Sequence, residues 1–445
     1  MKSKLVLTLC LWLAGCASTE PPKALLGAYR LDDGRTVSIR RSVDDTLRYR
    51  IYESGKSGRL YAESEGVFMS GRGFSAREPV EIEIRFDTVE SGNAQSLEWR
   101  SRGDGSQTAQ RIGAEREAYF ESGSTRLFAR LHLPHTPPPY PGVILVHGSG
   151  DSPGTEWFYN SDFFVANGFA ALTYDKRGSG RSEGRFTFDF EQLAEDAVAA
   201  VYYLQTLPEI DNRRIGLAGY SQGAWVAPLA ASKTEGIRFV VVNYGMIQSP
   251  AEEARLEMRQ LLVDAGVADD DLEDADQLIQ AAVELVASEF EDGWAEFQAQ
   301  KKMYRNASWL EHLDGTPVGT LVKWPKFLVK LIGPQRLPHG LDWHYDSTEL
   351  LERSETPMAW LLAEDDRSAP NEQTIATLRS LIDAGKPYSL AVFPNADHGM
   401  LTFTEKDGER DYEAYAPGYF ESEVDALRRL STQPPSLDPA EDPRF

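Results

Sequence analysis

The sequence predicts an α/β fold: a mostly parallel, doubly wound sheet with a helical cap insertion, preceded by a separate N-terminal antiparallel β domain. Three observations carry this. From about residue 117, apolar strand-like runs alternate with amphipathic helical stretches, the pattern of a parallel sheet covered by helices on both faces. Ahead of it, short runs of period-two alternation are separated by glycine-rich turns, the pattern of antiparallel strands. Between about residues 247 and 347 the strand rhythm stops, and a long, charge-rich helical stretch takes its place.

Taken in order, residues 1–15 read as a signal peptide. Lys2 and Lys4 precede an apolar stretch from Leu5 to Ala14 broken only by Thr8, too short to span a bilayer as a helix. It ends in Leu13-Ala14-Gly15-Cys16, which resembles the lipobox of bacterial lipoproteins and makes Cys16 the expected lipidation site. Several acyl chains would anchor the chain durably, at about 0.8 kcal/mol per buried methylene. Ala17 follows, not an aspartate of the inner-membrane retention type, so the expected location is the bacterial cell envelope, lipid-anchored at the outer membrane and facing the periplasm. Residues 16–24, with Pro21-Pro22, form a tether.

Residues 25–116 form the β domain. Thr36-Val37-Ser38-Ile39-Arg40, Leu47-Arg48-Tyr49-Arg50-Ile51-Tyr52 and Val80-Glu81-Ile82-Glu83-Ile84-Arg85-Phe86 alternate, with turns at Asp32-Asp33-Gly34, Ser54 to Gly58, Ser70 to Gly73 and Arg102 to Gly105. A small sandwich or barrel is expected. It contains no histidine and no catalytic constellation; its expected role is a spacer or a wall beside the site, with ligand binding as the alternative.

Residues 117–432 form the second domain. Two short strands lie between Tyr119 and Leu133, followed by a proline-rich bend from Pro134 to Pro141. Val143 to His147 and Phe169 to Tyr174 read as buried strands, and Ser161–Asn167 and Phe190–Leu207 as helices. Arg214 to Ala218 and Phe239 to Asn243 are further strands. Ala251 to Leu331 is helical. Strands resume at Met358 to Leu362 and Tyr388 to Phe393, and a last helix follows Tyr419. The tail, 433–445, has four prolines and is expected to be disordered.

Of 445 residues, 69 are acidic and 46 basic, a formal net charge of -23. That excludes a basic nucleic-acid footprint and argues against electrostatic adhesion to an anionic membrane. Cys10 and Cys16 are the only cysteines, so the body of the chain has no disulfide and no thiolate metal site. No histidine spacing suits a metal, and no cofactor is expected. Asp175 to Ser182 is glycine-rich and basic but lacks the Gly-Lys-Ser/Thr ending of a phosphate loop; it reads as a structural loop with an Asp-Arg pair. Trp324, Trp343 and Tyr345 either line a pocket or pack the cap.

The chemistry sits at Gly219-Tyr220-Ser221-Gln222-Gly223, a Gly-x-Ser-x-Gly turn between an apolar strand and a helix. Such a turn lifts the hydroxyl of Ser221 clear of the backbone, where a base can activate it. With the serine first, the expected order is acid, then histidine. Glu364, Asp365 and Asp366 follow one strand, and His398, in Asn395 to Met400, follows the last. His398 is the expected general base; any of the three carboxylates can be the acid. The developing oxyanion needs backbone N–H donors, expected from Gln222 and, in His147-Gly148-Ser149-Gly150, from Ser149. His147 is expected to shape that loop rather than act as a base.

Together, Asp175 to Ser182, Gly219 to Gly223, His147 to Gly150 and Ala396-Asp397-His398-Gly399 resemble the α/β-hydrolase fold. More narrowly, they resemble bacterial secreted esterases related to the prolyl oligopeptidase and bile acid-CoA acyltransferase branches. The resemblance covers about residues 117–432 and implies Ser221, Asp366 and His398 as a catalytic triad. Asp366, ahead of Arg-Ser-Ala-Pro, takes the family's acid position, with Asp365 as alternative; Ala363 departs from the glycine that many members carry there. The implied activity is a serine esterase acting on small or medium acyl esters through an acyl-enzyme. An exopeptidase, amidase or acyl thioester hydrolase would use the same triad on another, peptide-like or thioester substrate. From another class, an inactive membrane-anchored binding module is opposed by the complete Ser-Asp-His order. Oligomeric state is not legible in this sequence.

Overall fold

The architecture comes from a computed structural model that describes residues 25–42, 46–86, 94–103, 105–406 and 409–432. The signal stretch, Cys16, the tether and the tail 433–445 lie outside the described residues. Among the described residues, no helix is long and apolar enough to cross a membrane.

The N-terminal strands are β1 (Gly27–Leu31), β2 (Thr36–Arg41), β3 (Leu47–Ile51), β4 (Ser57–Arg59), β5 (Tyr61–Ser64), β6 (Val67–Ser70), β7 (Ile82–Phe86), β8 (Ser96–Ser101) and β9 (Gly105–Ile112). They form one nine-stranded antiparallel sheet in the order β4-β3-β2-β1-β9-β8-β7-β6-β5. The two edge strands, β4 and β5, are joined through the single residue Leu60, so the ends of the sheet come together and it rolls into a barrel-like form. Its interior is the apolar half of the alternation: Tyr29, Val37, Ile39, Ile84, Leu97, Trp99 and Ala109 are buried.

The polar half behaves differently on β2 and β3. Ser38, Arg40, Arg48 and Arg50 are buried as well. Alternation alone would place these side chains in water, but the outer face of both strands is covered, much of it by the second domain. Ser38 Oγ donates to Asp162 Oδ2 at 2.6 Å, and Arg40 forks onto Asp162 at 2.8 and 2.6 Å while reaching Glu115 at 2.5 Å. Arg50 lies 3.9 Å from the centre of the Tyr159 ring and donates to Tyr415 Oη.

The second sheet has eight strands in the order β10-β11-β13-β12-β14-β15-β16-β17. They are β10 (Ala114–Ser122), β11 (Thr125–Leu133), β12 (Tyr140–Val146), β13 (Ala170–Tyr174), β14 (Ile210–Tyr220), β15 (Val240–Asn243), β16 (Met358–Ala363) and β17 (Tyr388–Phe393). β10 and β11 form an antiparallel hairpin, β11 pairs antiparallel with β13, and β13 through β17 are parallel.

Helices cover both faces, as continuous apolar strands require. α1 (Gly154–Trp157) and α2 (Asn160–Ala166) lie on one face, and α3 (Phe190–Gln205) and α4 (Gly223–Lys233) on the other. Between β15 and β16, α5 (Pro250–Asp264), α6 (Asp269–Ala287), α7 (Trp294–Met303), α8 (Pro317–Lys323) and α9 (Lys326–Ile332) enclose a core of their own. Trp324 and Trp343 pack against that core, and Tyr345 meets Phe190 edge-on in the main one. α10 (Thr348–Arg353) returns to the body through the buried Leu351. α11 (Glu372–Asp383) precedes β17.

After β17 comes an element the sequence reading omits, a three-stranded sheet of β18 (Ala396–Asp397), β19 (Leu401–Lys406) and β20 (Glu409–Tyr415). Its last strand touches the N-terminal domain, where Tyr415 N–H donates to Gly55 O at 2.8 Å. α12 (Tyr419–Thr432) then closes the face shared with α1 and α2.

Candidate active site

Ser221 sits between the end of β14 and the start of α4 with φ at 53°, a left-handed conformation that non-glycine residues rarely adopt. The glycines around it make this possible. A Cβ on Gly219 would lie 2.4 Å from the Gly223 carbonyl oxygen, and one on Gly223 would lie 2.5 Å from the Val146 oxygen. Strand and helix therefore pass at backbone distance. Ser221 N–H donates to Asn243 O at 3.0 Å. Beneath the turn, a buried carboxylate gathers three donors: Tyr220 Oη at 2.7 Å, Asn243 Nδ2 at 3.0 Å and Asn160 Nδ2 at 2.9 Å, all onto Glu423. Burial pushes the Glu423 carboxyl up to about 7, and these donors restrain the rise.

His398 leaves the turn between β18 and β19. Its Nε2 is 3.1 Å from Ser221 Oγ. Its Nδ1 is 2.9 Å from Asp366 Oδ2 and 3.1 Å from Oδ1. Asp366 has no exposed side-chain surface, whereas the His398 side chain keeps 29% exposure. Asp366 Oδ1 also accepts the N–H groups of Ser368 at 3.0 Å and Ala369 at 2.8 Å.

Of the three adjacent acids, only Asp366 meets the ring. Glu364 and Asp365 are exposed, and Asp365 contributes main-chain bonds to Ala396 O and Arg410. Asp397, next to the histidine, turns away. It accepts from the N–H groups of Arg367 and His398 at 3.0 and 2.7 Å and from Tyr412 Oη at 2.8 Å, and it pairs with Arg410 at 2.6 Å.

Burial works against charge on the His398 ring. The carboxylates of Asp366, Glu253 and Asp397 outweigh it, and the pKa is pushed up to about 9. Glu253 and Glu257 on α5 are the cap's contribution to this field, and sequence reasoning missed both because nothing distinguishes them from other helical acids. Burial pushes Glu253 up to about 8, with His398 pulling the other way.

The loop of His147 to Gly150 lies against the nucleophilic turn. A Cβ on Gly148 would be 3.3 Å from Ser221 Cβ and 3.7 Å from its Oγ. Among the described residues, no acceptor engages the N–H of Ser149 or of Gln222. His147 is buried and touches Trp157, Phe158 and Tyr174; burial holds its pKa well below the usual imidazole value, with Lys176 adding to the effect.

The Asp-Arg pair expected within Asp175 to Ser182 does not form between side chains. Asp175 accepts from Thr155 N–H and Oγ1 and from the main-chain N–H of Arg181. Arg177 instead forks onto Asp196 of α3. Glu115, His132 and Asp162 converge closely enough to hold a metal ion, but the Arg40 guanidinium bonds both carboxylates and already supplies the positive charge.

A family model described as "Alpha/beta hydrolase family" matches residues 143–416. The chain is 33% identical over 109 residues to the quorum-quenching protein AidA of Acinetobacter baumannii, covering 24% of this chain and 36% of that protein. Thus little more than a third of that relative is spanned. It is 24% identical over 292 residues to the bifunctional esterase/perhydrolase DCH of Acinetobacter calcoaceticus, covering 61% of this chain and 91% of that one. Among solved structures, the α/β hydrolase GrgF from Penicillium sp. sh18 aligns with a TM-score of 0.45 at 18% identity, covering 72% of this chain and 100% of that one. With the family model spanning more than half of its length, the chain belongs to the α/β hydrolase family.

Proposed function

We propose that the protein is a serine hydrolase that cleaves carboxylic esters through an acyl-enzyme. The observation that carries this reading is the continuous hydrogen-bonded line from Asp366 through His398 to a serine held at positive φ. Ser221 Oγ attacks the ester carbonyl while His398 Nε2 takes its proton. Asp366 holds Nδ1–H and stabilises the imidazolium. The N–H groups of Gln222 and Ser149 receive the negative oxygen of the tetrahedral intermediate. Its collapse breaks the bond to the leaving alcohol, which departs with the proton from His398. Water, deprotonated by the same ring, then releases the acid and restores Ser221.

The ester preference draws support from the relative named as an esterase/perhydrolase. Turnover of p-nitrophenyl esters from acetate to octanoate, set against aminoacyl p-nitroanilides and acyl thioesters, tests it. Higher kcat/KM on the esters is expected; higher values on the anilides would make the protein an amidase or exopeptidase, and on the thioesters a thioesterase. Anchoring through Cys16 in the cell envelope is part of the same proposal. Cys16→Ser should release the protein from the membrane fraction, and persistent association would contradict it.

A further inference from the structure

We propose that Lys176 is the positioning residue of the oxyanion-binding amides: one buried ammonium ties together the two segments whose N–H groups would receive the negative oxygen. The inference rests on the reading of Ser221 as nucleophile and adds to it the element that holds the donors.

Lys176 follows β13, whose neighbour β12 leads into the His147 to Gly150 loop. Its side chain is buried, and Nζ makes two hydrogen bonds. One goes to the Gly148 carbonyl oxygen. The other, at 2.8 Å, goes to Oε1 of Gln222. The Gly148 carbonyl and the Ser149 N–H belong to one peptide unit, which is planar and trans, so the two groups point in opposite directions. Holding the carbonyl on Lys176 therefore turns the Ser149 N–H away from the lysine, where no protein acceptor among the described residues engages it. The second bond fixes the side chain of Gln222, whose main-chain N–H is the other donor.

Nothing in the packing demands a cation here. Among the described residues, no carboxylate hydrogen-bonds the Lys176 head group. Its surroundings are the Phe186 ring, centred 5.4 Å away, the neutral His147 ring, and Asp151 acting at longer range. Burial presses the ammonium down to about 7, with Asp151 pulling upward. Burying a lysine head group without an ion-pair partner is costly, in desolvation or in lost charge, and a methionine would fill the same space without that cost. A lysine buried at this cost while hydrogen-bonding both donor segments is explained by what it holds in place.

The test compares the intact wild-type chain with Lys176→Met and Gln222→Met, the latter keeping the main-chain N–H but losing the side-chain acceptor. In Lys176→Met, kcat on p-nitrophenyl acetate should fall about 10- to 100-fold, less than the usual loss for deleting a donor outright. KM should stay level, because the donors act on the transition state. Fluorophosphonate labelling should slow in parallel. Gln222→Met should cost less, and the double variant should be no worse than Lys176→Met alone, since both remove one link. Unchanged kcat in Lys176→Met, a loss confined to KM, or fully additive effects would overturn the proposal. Should Lys176→Met fail to fold, Gln222→Met decides: a kcat loss at level KM supports the link, and unchanged kcat refutes it. A wild-type chain that takes no label at Ser221 would instead reject the nucleophile reading.

Discussion

Replacing Asp366 by asparagine changes one oxygen to nitrogen, and the structure dictates where that nitrogen goes. Oδ1 of Asp366 accepts two main-chain N–H groups, from Ser368 at 3.0 Å and Ala369 at 2.8 Å. An asparagine amide must present its carbonyl to those donors. Its NH₂ then occupies the Oδ2 position, 2.9 Å from His398 Nδ1. Because NH₂ donates, Nδ1 has to accept, and the ring proton moves to Nε2. Nε2 faces Ser221 Oγ at 3.1 Å and, now carrying hydrogen, cannot take the serine proton. The wrong tautomer is fixed although no heavy atom shifts. For this geometry the loss in kcat is on the order of 10⁴-fold, or about 5 kcal/mol of barrier. Steady-state hydrolysis of p-nitrophenyl acetate above pH 9, where the wild-type His398 ring is neutral, measures it, with Asp365→Asn as the control. Asp365 is exposed and, among the described residues, bonds through its main chain to Ala396 and Arg410, so that variant should stay within about twofold of wild type. Retention of more than about a tenth of wild-type kcat in Asp366→Asn, or a larger loss in Asp365→Asn, would refute the reasoning.

The remaining predictions concern the cap, the turn and the domain interface. With the His398 pKa raised to about 9, the ring is protonated and idle below that value, so kcat/KM should climb with pH and level off only above about 9. Glu253→Gln removes one of the carboxylates that raise it and should move this acidic limb down by about half a pH unit or more; an unmoved limb would contradict the cap's part in the field. Gly223→Ala places a methyl 2.5 Å from the Val146 oxygen and should lower both folded yield and esterase activity, whereas wild-type levels of both would show that strand and helix have room to spare. Arg40→Met leaves Asp162 buried without its guanidinium and should cost about 3–5 kcal/mol in urea unfolding; a loss below about 1 kcal/mol would mean that the domain interface does not depend on the pair.

Much of the architecture was legible because apolar runs at the two periods report their own burial. Val143 to Val146 and Val240 to Val242 could only be interior strands, and Gly-x-Ser-x-Gly between strand and helix marked where the sheet presents a hydroxyl. Residue order and the edge of the sheet on which those loops open brought Ser221 together with His398 and one of the acids Glu364, Asp365 and Asp366; the choice of Asp366 among the three came from the family resemblance. What stayed hidden depended on contacts distant in sequence. Arg40 and Arg50 looked like the solvated half of an alternating strand because the partners that bury them, Asp162 and Tyr415, lie more than a hundred residues on. β19 and β20 form an edge hairpin whose alternating residues stay partly exposed, so no continuous apolar run announced it. Lys176 sat in a basic, glycine-rich loop whose composition suggested an internal ion pair; only the folded chain brings its ammonium to Gly148 and Gln222. Glu253 is one acid among many in a helix, and its meaning comes from the charge it places near His398.

Mapping the adduct of a fluorophosphonate probe by mass spectrometry tests the activated serine most directly. One adduct on the peptide containing Ser221, absent in Ser221→Ala and slower to form in Asp366→Asn, is the predicted result. An adduct on another residue, or undiminished labelling of Ser221→Ala, would contradict the assignment of Ser221 as the group that His398 activates.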